Sequence, residues 1–363
     1  MLASFLITFV LLAVISVYAF TKFKYSNGFG ILNLIIIALA VGLREFGYDY
    51  YSYKNIYESI VNGYGYIIEW MTQFIITTSH STGIGLKGFL SVYALLTFSL
   101  IYVISRMERV SLTILLSVYC ILLFSTGPLV TIRSSLSSLI FCIAFLLYFR
   151  KKKIQSFLAT ALAIAFHGAA LAAVAIVLLV AIGKSALRDK RKALLVYFSL
   201  ISLVIHSIVL TPNIFEYIGY FSENDLILML AGRVEAYQSY VWLDFSSIVH
   251  YFQIASIITS IICYSLLNPA SRELLEHGDI SPPHQQDIFS ADIINSSIVF
   301  GIVSFLYFNL VWGVRIMEFV APLLAVLIVK YGQNRKKFPL LLLCSINLTN
   351  VFLGYMSSLN WKF

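Results

Sequence analysis

Four arginines stand apart from the other cations of this 363-residue chain: Arg44, Arg133, Arg233 and Arg315. Arg44 closes an apolar run, Arg133 and Arg315 each open one, and Arg233 lies in the polar stretch between two others. A guanidinium is always charged, and its planar fork matches phosphate oxygens two at a time. Such residues would hold a phosphate or pyrophosphate. The plainer reading pairs three of them with neighbouring acids, Arg44 with Glu45, Arg233 with Glu235 and Arg315 with Glu318. Four solitary arginines on one side of the topology derived below favour an anion site over that pairing.

Two residues could move a proton beside such an anion. Asp49 follows Arg44 closely in Gly47-Tyr48-Asp49-Tyr50, where an Asx turn or an ion pair to Arg44 is the alternative role. His167 sits with Gly168 between two apolar arms, where a hydrogen-bonded packing role competes with catalysis. His206, Asp244 and His250 are weaker candidates, each suited to capping a helix end. Tyr48, Tyr50, Tyr51, Tyr53, Tyr57, Tyr64 and Tyr66 crowd one short stretch. Tyrosine suits a membrane interface, but this density also suits stacking on sugar rings, with Tyr50 and Tyr53 the candidates. The carboxylates and histidines show no metal-ligand spacing, so neither a metal nor a cofactor is expected.

The elements that position these groups follow from composition. The chain is 60% hydrophobic and 12% charged, with a mean hydropathy of +0.89. That is about half the charge of a soluble domain, and a membrane-spanning helix needs about 20 mostly apolar residues. A soluble enzyme, a nucleic-acid-binding module and a disordered chain are excluded. Cys120, Cys142, Cys263 and Cys344 lie in apolar runs and read as packing residues. Residues 1–20 are apolar throughout with no basic start, and read as a first membrane helix rather than a cleaved leader.

Apolar runs at 2–20, 29–43, 84–105, 111–127, 132–149, 154–167, 169–182, 193–210, 247–267, 294–312, 315–330 and 338–356 predict an all-α, polytopic membrane bundle of about 12 spans. Basic clusters recur between them, at Lys22 and Lys24, Arg106 and Arg109, Arg150–Lys153, Lys184–Lys192, and Lys330–Lys337. The positive-inside rule puts these in the cytoplasm. Two cytoplasmic turns must be separated by an even number of spans, so 154–182 is predicted to be a tight hairpin turning at His167-Gly168. Its arms, about 21 Å each, fall short of an apolar core of about 30 Å. Residues 44–83 and 211–246 become two long periplasmic loops within a single 1–363 transmembrane domain. Residues 268–293, with Pro269, Pro282 and Pro283, become an irregular cytoplasmic loop. In the first long loop Ile67, Ile68, Met71, Phe74 and Ile75 predict an amphipathic helix on the membrane surface. Of the 25 basic residues, this topology leaves seven outside: the four arginines with Lys54, Lys87 and Lys362. An anionic substrate at the outer face of a bacterial membrane suggests a phosphate- or pyrophosphate-linked lipid.

These residues resemble those of the Wzy-type bacterial polysaccharide polymerases, in particular the EpsG-like group. Arg44-Glu45-Phe46-Gly47-Tyr48-Asp49-Tyr50 with Tyr53 is similar to that group's Arg, Gly-x-Asp and Tyr pattern. Ile132-Arg133 resembles its second arginine, Phe166-His167 its Phe-His element, and Arg315 before Pro322 its late arginine. Ser134 stands where the group often has Gln, and Gly168-Ala169 where a basic or hydroxyl residue often follows the histidine. The resemblance implies an enzyme, a membrane glycosyltransferase of O-antigen, capsule or exopolysaccharide biosynthesis. It would polymerise undecaprenyl-pyrophosphate-linked repeat units at the periplasmic face of the inner membrane. The implied partners are that lipid-linked glycan and membrane lipid, with a chain-length regulator and a flippase beyond them, and no nucleic acid. A flippase or transporter of the same lipid predicts repeated halves and polar residues at mid-membrane, which the sequence lacks. A membrane acyltransferase of surface sugars would need a base near the inner loops, where His277 and His284 lie in a Pro-rich segment.

Overall fold

A computed structural model of the chain describes residues 27–45, 50–64, 69–123, 131–186, 282–307 and 310–332. Among these residues all regular structure is helical. Ten helices follow in order: α1 (Asn27–Gly42), α2 (Tyr50–Val61), α3 (Trp70–Ser81), α4 (Gly85–Glu108), α5 (Leu112–Leu123), α6 (Ile132–Phe149), α7 (Lys153–Phe166), α8 (Ala170–Ala186), α9 (Pro282–Tyr307) and α10 (Leu310–Gly332). The predicted spans at 2–20, 193–210, 247–267 and 338–356 lie outside the described residues, as does the loop 211–246.

Helices α4 and α6 are long and apolar enough to cross a membrane, and α1 and α7 are shorter apolar helices. At about 1.5 Å per residue α6 extends about 27 Å, close to the thickness of an apolar bilayer core. Their apolar residues do not all face inward. On α1, Leu34, Ile37, Ala38 and Val41 are buried, while Ile31, Leu32, Ile35 and Leu39 are exposed. Ile154, Phe157, Leu158 and Leu162 are likewise exposed on α7, and Leu95, Leu96 and Val103 on α4. A helix apolar on every side has one face for its neighbours and one for hydrocarbon.

Close approach of the helices is made by small and hydroxylated residues, as is usual within membranes. Helix α6 contains Ser134, Ser135, Ser137 and Ser138, all buried. Ser137 Oγ donates to the carbonyl of Ala163 at 2.6 Å, and Ser156 Oγ to that of Ala144 at 2.7 Å, tying α6 to α7. A Cβ on Gly42 would stand 2.6 Å from the Ser91 Cα, so glycine is what lets α1 pack against α4. Gly83 and Gly85, with φ of 75° and 64°, make the turn from α3 into α4 in a conformation glycine adopts freely.

Among the described residues, three of the basic connections, those at Glu108, Arg150 and Lys330, meet at one end of the bundle. The Arg150 guanidinium bonds to the Met107 carbonyl and lies 3.3 Å from Glu108 Oε1. Lys330 Nζ on α10 lies 2.5 Å from Glu108 Oε2 and 3.2 Å from Asp287 Oδ1 on α9. This network joins α4, the α6–α7 turn, α9 and α10, so Arg133 at the start of α6 and His167 at the end of α7 stand at the opposite end.

Three local expectations need correction. Pro282 and Pro283 open α9 instead of lying in an irregular loop, because proline is preorganised for the first helical turn, where its missing N–H is no loss. Arg315 does not open a span: α10 begins at Leu310 and carries Arg315 in its second turn. In α3 the expected apolar stripe divides. Thr72, Ile75, Ile76 and Ser79 are buried, while Trp70 and Phe74 are exposed. Packing against α4 selects a different face from the one apolar spacing suggests.

Candidate functional site

A carboxylate absent from the sequence-derived candidates organises the end of the bundle opposite the basic turns. Glu69 occupies the N-cap of α3, but its side chain makes no capping bond. Instead Arg133 Nη1 donates to Glu69 Oε2 at 2.7 Å. Glu69 Oε1 lies 3.2 Å from His167 Nδ1 and accepts the backbone N–H of Gly168 at 3.3 Å. Glu69 is 5% exposed, His167 11% and Arg133 17% by side chain. A charge so removed from water is stable only when paired and hydrogen-bonded, which this arrangement provides.

Each member is set by its element. Arg133 stands on the first turn of α6. His167 caps α7 in extended backbone, which takes its ring out of the helical array. The imidazole stacks on Phe319 of α10, with centroids 6.4 Å apart and planes 11° from parallel. The Arg133 guanidinium lies over the Tyr53 ring at 5.6 Å, in a cation–π contact. Behind these groups, Thr72 Oγ1 and the Tyr93 hydroxyl share a 2.6 Å hydrogen bond, and Tyr93 meets Phe166 edge-on. Arg133 Nε is buried with no hydrogen-bond partner among the described residues, leaving a donor at the cluster.

A second buried acid flanks the start of α6. Glu318 Oε1 accepts a bond from Thr131 Oγ1 at 3.2 Å and Oε2 one from Ser134 Oγ at 2.9 Å. Thr131 is the N-cap of α6, yet its hydroxyl serves Glu318 instead of capping. The carboxylate is thus held near a helix N-terminus, where the dipole favours negative charge. Glu318 lies four residues before Pro322, which cannot donate the helical bond to its carbonyl.

Of the predicted residues, the fold brings Arg133, His167 and Tyr53 together. Arg44 follows α1 at the same end and is 2% exposed. Its neighbour Glu45 makes an exposed ion pair with Lys87 at 2.6 Å, and that ammonium holds the Glu45 carboxyl below its ordinary range. Tyr50 is half-buried and packs edge-on against Tyr51, while the Tyr53 ring is 3% exposed, covered by Arg133 and Phe89. The face of Tyr53 expected to take a sugar is therefore occupied in this structure. Asp49 and Arg233 lie outside the described residues, as do His206, Asp244 and His250. Among the described residues no three His, Cys, Asp or Glu side chains converge as metal ligands.

The one sequence signal for Glu69 is its isolation: it is the lone acid in Ile67-Ile68-Glu69-Trp70-Met71. A carboxylate amid apolar residues beside a membrane segment needs a cationic partner, and none is nearby in the chain.

Outward apolar faces, spanning helices and a buried charged cluster at one end define a helical membrane protein. The chain belongs to the EpsG family of polysaccharide polymerase-like membrane proteins, whose family model matches residues 27–360. No match was found among curated proteins or among solved structures.

Proposed function

We propose that the protein polymerises undecaprenyl-pyrophosphate-linked oligosaccharide repeat units at the periplasmic face of the bacterial inner membrane. The observation that carries this reading is the Arg133–Glu69–His167 cluster, placed at the end of the bundle remote from the basic turns. Family membership supports the polymer chemistry, and the positive-inside rule supports the face.

In this reaction the acceptor hydroxyl of one repeat unit bonds to the anomeric carbon of the growing glycan. The bond from that carbon to the lipid pyrophosphate breaks, and the pyrophosphate departs with the electron pair. The leaving group needs positive charge more than it needs a proton, and preorganised cations supply this without reorganisation. Arg44, Arg133, Arg233 and Arg315 are the proposed pyrophosphate-binding residues. Asp49 or His167 takes the hydroxyl proton, as a general base must lie within hydrogen-bond reach of it. Tyr50 and Tyr53 are the proposed glycan-contacting aromatics, Tyr53 requiring Arg133 to shift from its ring.

The test is the lipid glycan profile of cells lacking the protein. Single repeat units on the carrier lipid are expected, with long chains restored by the wild-type gene and not by Arg44→Ala, Arg133→Ala or Arg315→Ala present at normal membrane levels. Long chains in the deletion strain would refute the reading.

A further inference from the structure

We propose that Glu69 is a positioning residue for His167, holding the imidazole as the tautomer that donates from Nδ1 and keeps its accepting lone pair on Nε2. The idea rests on the polymerase reading only for which hydroxyl yields the proton.

An ionised carboxylate is acceptor-only, and a neutral imidazole carries one donor and one acceptor nitrogen. Arg133 lies 2.7 Å from Oε2 and favours the ionised form of Glu69. The imidazole nitrogen facing Oε1, at 3.2 Å, is then the N–H. A structural ion pair would need Arg133 alone. Here Oε1 also receives the backbone N–H of Gly168, so two successive residues of the α7–α8 turn are anchored on one oxygen. Phe319 lies parallel to the ring and limits its rotation. Among the described residues, the charged or titratable groups facing this cluster include Tyr53 on α2 and Tyr93 on α4, both beside Arg133, and Glu318 on α10, bonded to Thr131 and Ser134. The pattern matches the carboxylate–imidazole logic in which the acid fixes the tautomer and stabilises the imidazolium. As the glycosidic bond forms, Nε2 accepts the hydroxyl proton. The positive charge created on the ring faces Glu69, while the negative charge leaves on the pyrophosphate.

The test uses the full chain reconstituted in bilayers. The sequence has six histidines, so His80→Gln, His206→Gln, His250→Gln, His277→Gln and His284→Gln together leave His167 alone. Nitrogen-15 NMR of that variant should show an Nδ1–H, Nε2-unprotonated ring; an Nε2–H ring overturns the proposal. Chain extension is then followed with lipid-linked repeat units extracted from cells lacking the protein. Glu69→Gln should slow extension about 10²- to 10⁴-fold, with Glu69→Asp recovering part of the loss. A wild-type rate in Glu69→Gln, or a large loss there with none in His167→Gln, also overturns it. If the wild-type chain extends nothing, the polymerase reading fails instead, and the NMR result alone decides the tautomer.

Discussion

Glu69 and Arg133, 64 residues apart in the chain, meet at 2.7 Å with side chains only 5% and 17% exposed. The pair ties the segment before α3 to the first turn of α6, and through His167 it reaches the end of α7. It is also what a sequence reading based on cations alone overlooks, because it gives Arg133 an internal anion before any substrate arrives. A donor pyrophosphate would have to share this guanidinium with Glu69.

Removing one partner of this pair should hurt more than removing both. Arg133→Ala takes the arginine from a buried carboxylate that keeps its bonds to His167 and the Gly168 N–H, so the loss should reach at most about 3–5 kcal/mol, the cost of a fully broken buried pair. Introduced into Glu69→Gln, the same change should cost less, with a coupling energy of about 0.5–3 kcal/mol. Thermal unfolding of the purified chain in detergent measures all four corners of this cycle. Strict additivity would show that the 2.7 Å contact carries no energy.

Glu318 offers an independent measure of how the start of α6 is held. Its two oxygens accept from Thr131 and Ser134 at 3.2 and 2.9 Å. Thr131→Val and Ser134→Ala should each lower stability by about 1.5–3 kcal/mol, the range for a hydrogen bond to a charged group. The double variant should lose more than either single one, because a buried carboxylate with a remaining donor is partly satisfied. Equal unfolding temperatures for wild type and double variant would exclude that role.

The helical membrane class was legible because apolar runs bounded by basic clusters are a strong, local signal. Arg133 and His167 were legible for the same reason: each is a polar residue at the edge of an apolar segment. Glu69 and Glu318 were harder to read, since their partners come from distant helices and no spacing rule links position 69 to positions 133 and 167. On α3 the apolar spacing does not say which side meets protein: contact with Tyr93 turns the face bearing Thr72 inward and leaves Phe74 exposed. Pro282 shows a reverse error, in which a residue that ends helices inside a run begins one at its edge.

Gly42 gives a prediction about packing without charge. A Cβ there would stand 2.6 Å from the Ser91 Cα, a backbone atom that cannot give way without moving α4. Gly42→Ala should therefore destabilise by about 1–3 kcal/mol, as overpacking does. At Gly28, in the first turn of the same helix, an added Cβ meets nothing within 4 Å. Gly28→Ala should be neutral or raise stability by up to about 1 kcal/mol. Detergent unfolding temperatures of the two variants compare them directly, and equal effects would remove the argument for close α1–α4 approach.

At the basic end, Lys330→Met should weaken the protein without changing what it makes. Lys330 neutralises Glu108 and Asp287, and its loss leaves Glu108 with Arg150 as a cationic partner. Because Lys330 is 22% exposed and one pairing survives, the loss should stay below the about 3–5 kcal/mol of a broken buried pair. Glycan chain length, normalised to protein level, should match wild type. A selective loss of long chains would give this network a part in the reaction.

Arg133→Lys separates charge from geometry at the opposite end. Lysine keeps a cation that can reach Glu69, so membrane level and unfolding temperature should stay near wild type. What it loses is the planar fork, which lets one side chain bond Glu69 through Nη1 while a buried Nε–H has no partner among the described residues. If that remaining donor meets the pyrophosphate, Arg133→Ala should slow polymer formation by about 10²- to 10³-fold, the usual effect of deleting one transition-state donor. Arg133→Lys should fall between this and wild type, giving shortened chains. Wild-type chain length from Arg133→Lys would mean that Arg133 acts as a point charge for Glu69, and pyrophosphate recognition would then rest on Arg44, Arg233 and Arg315.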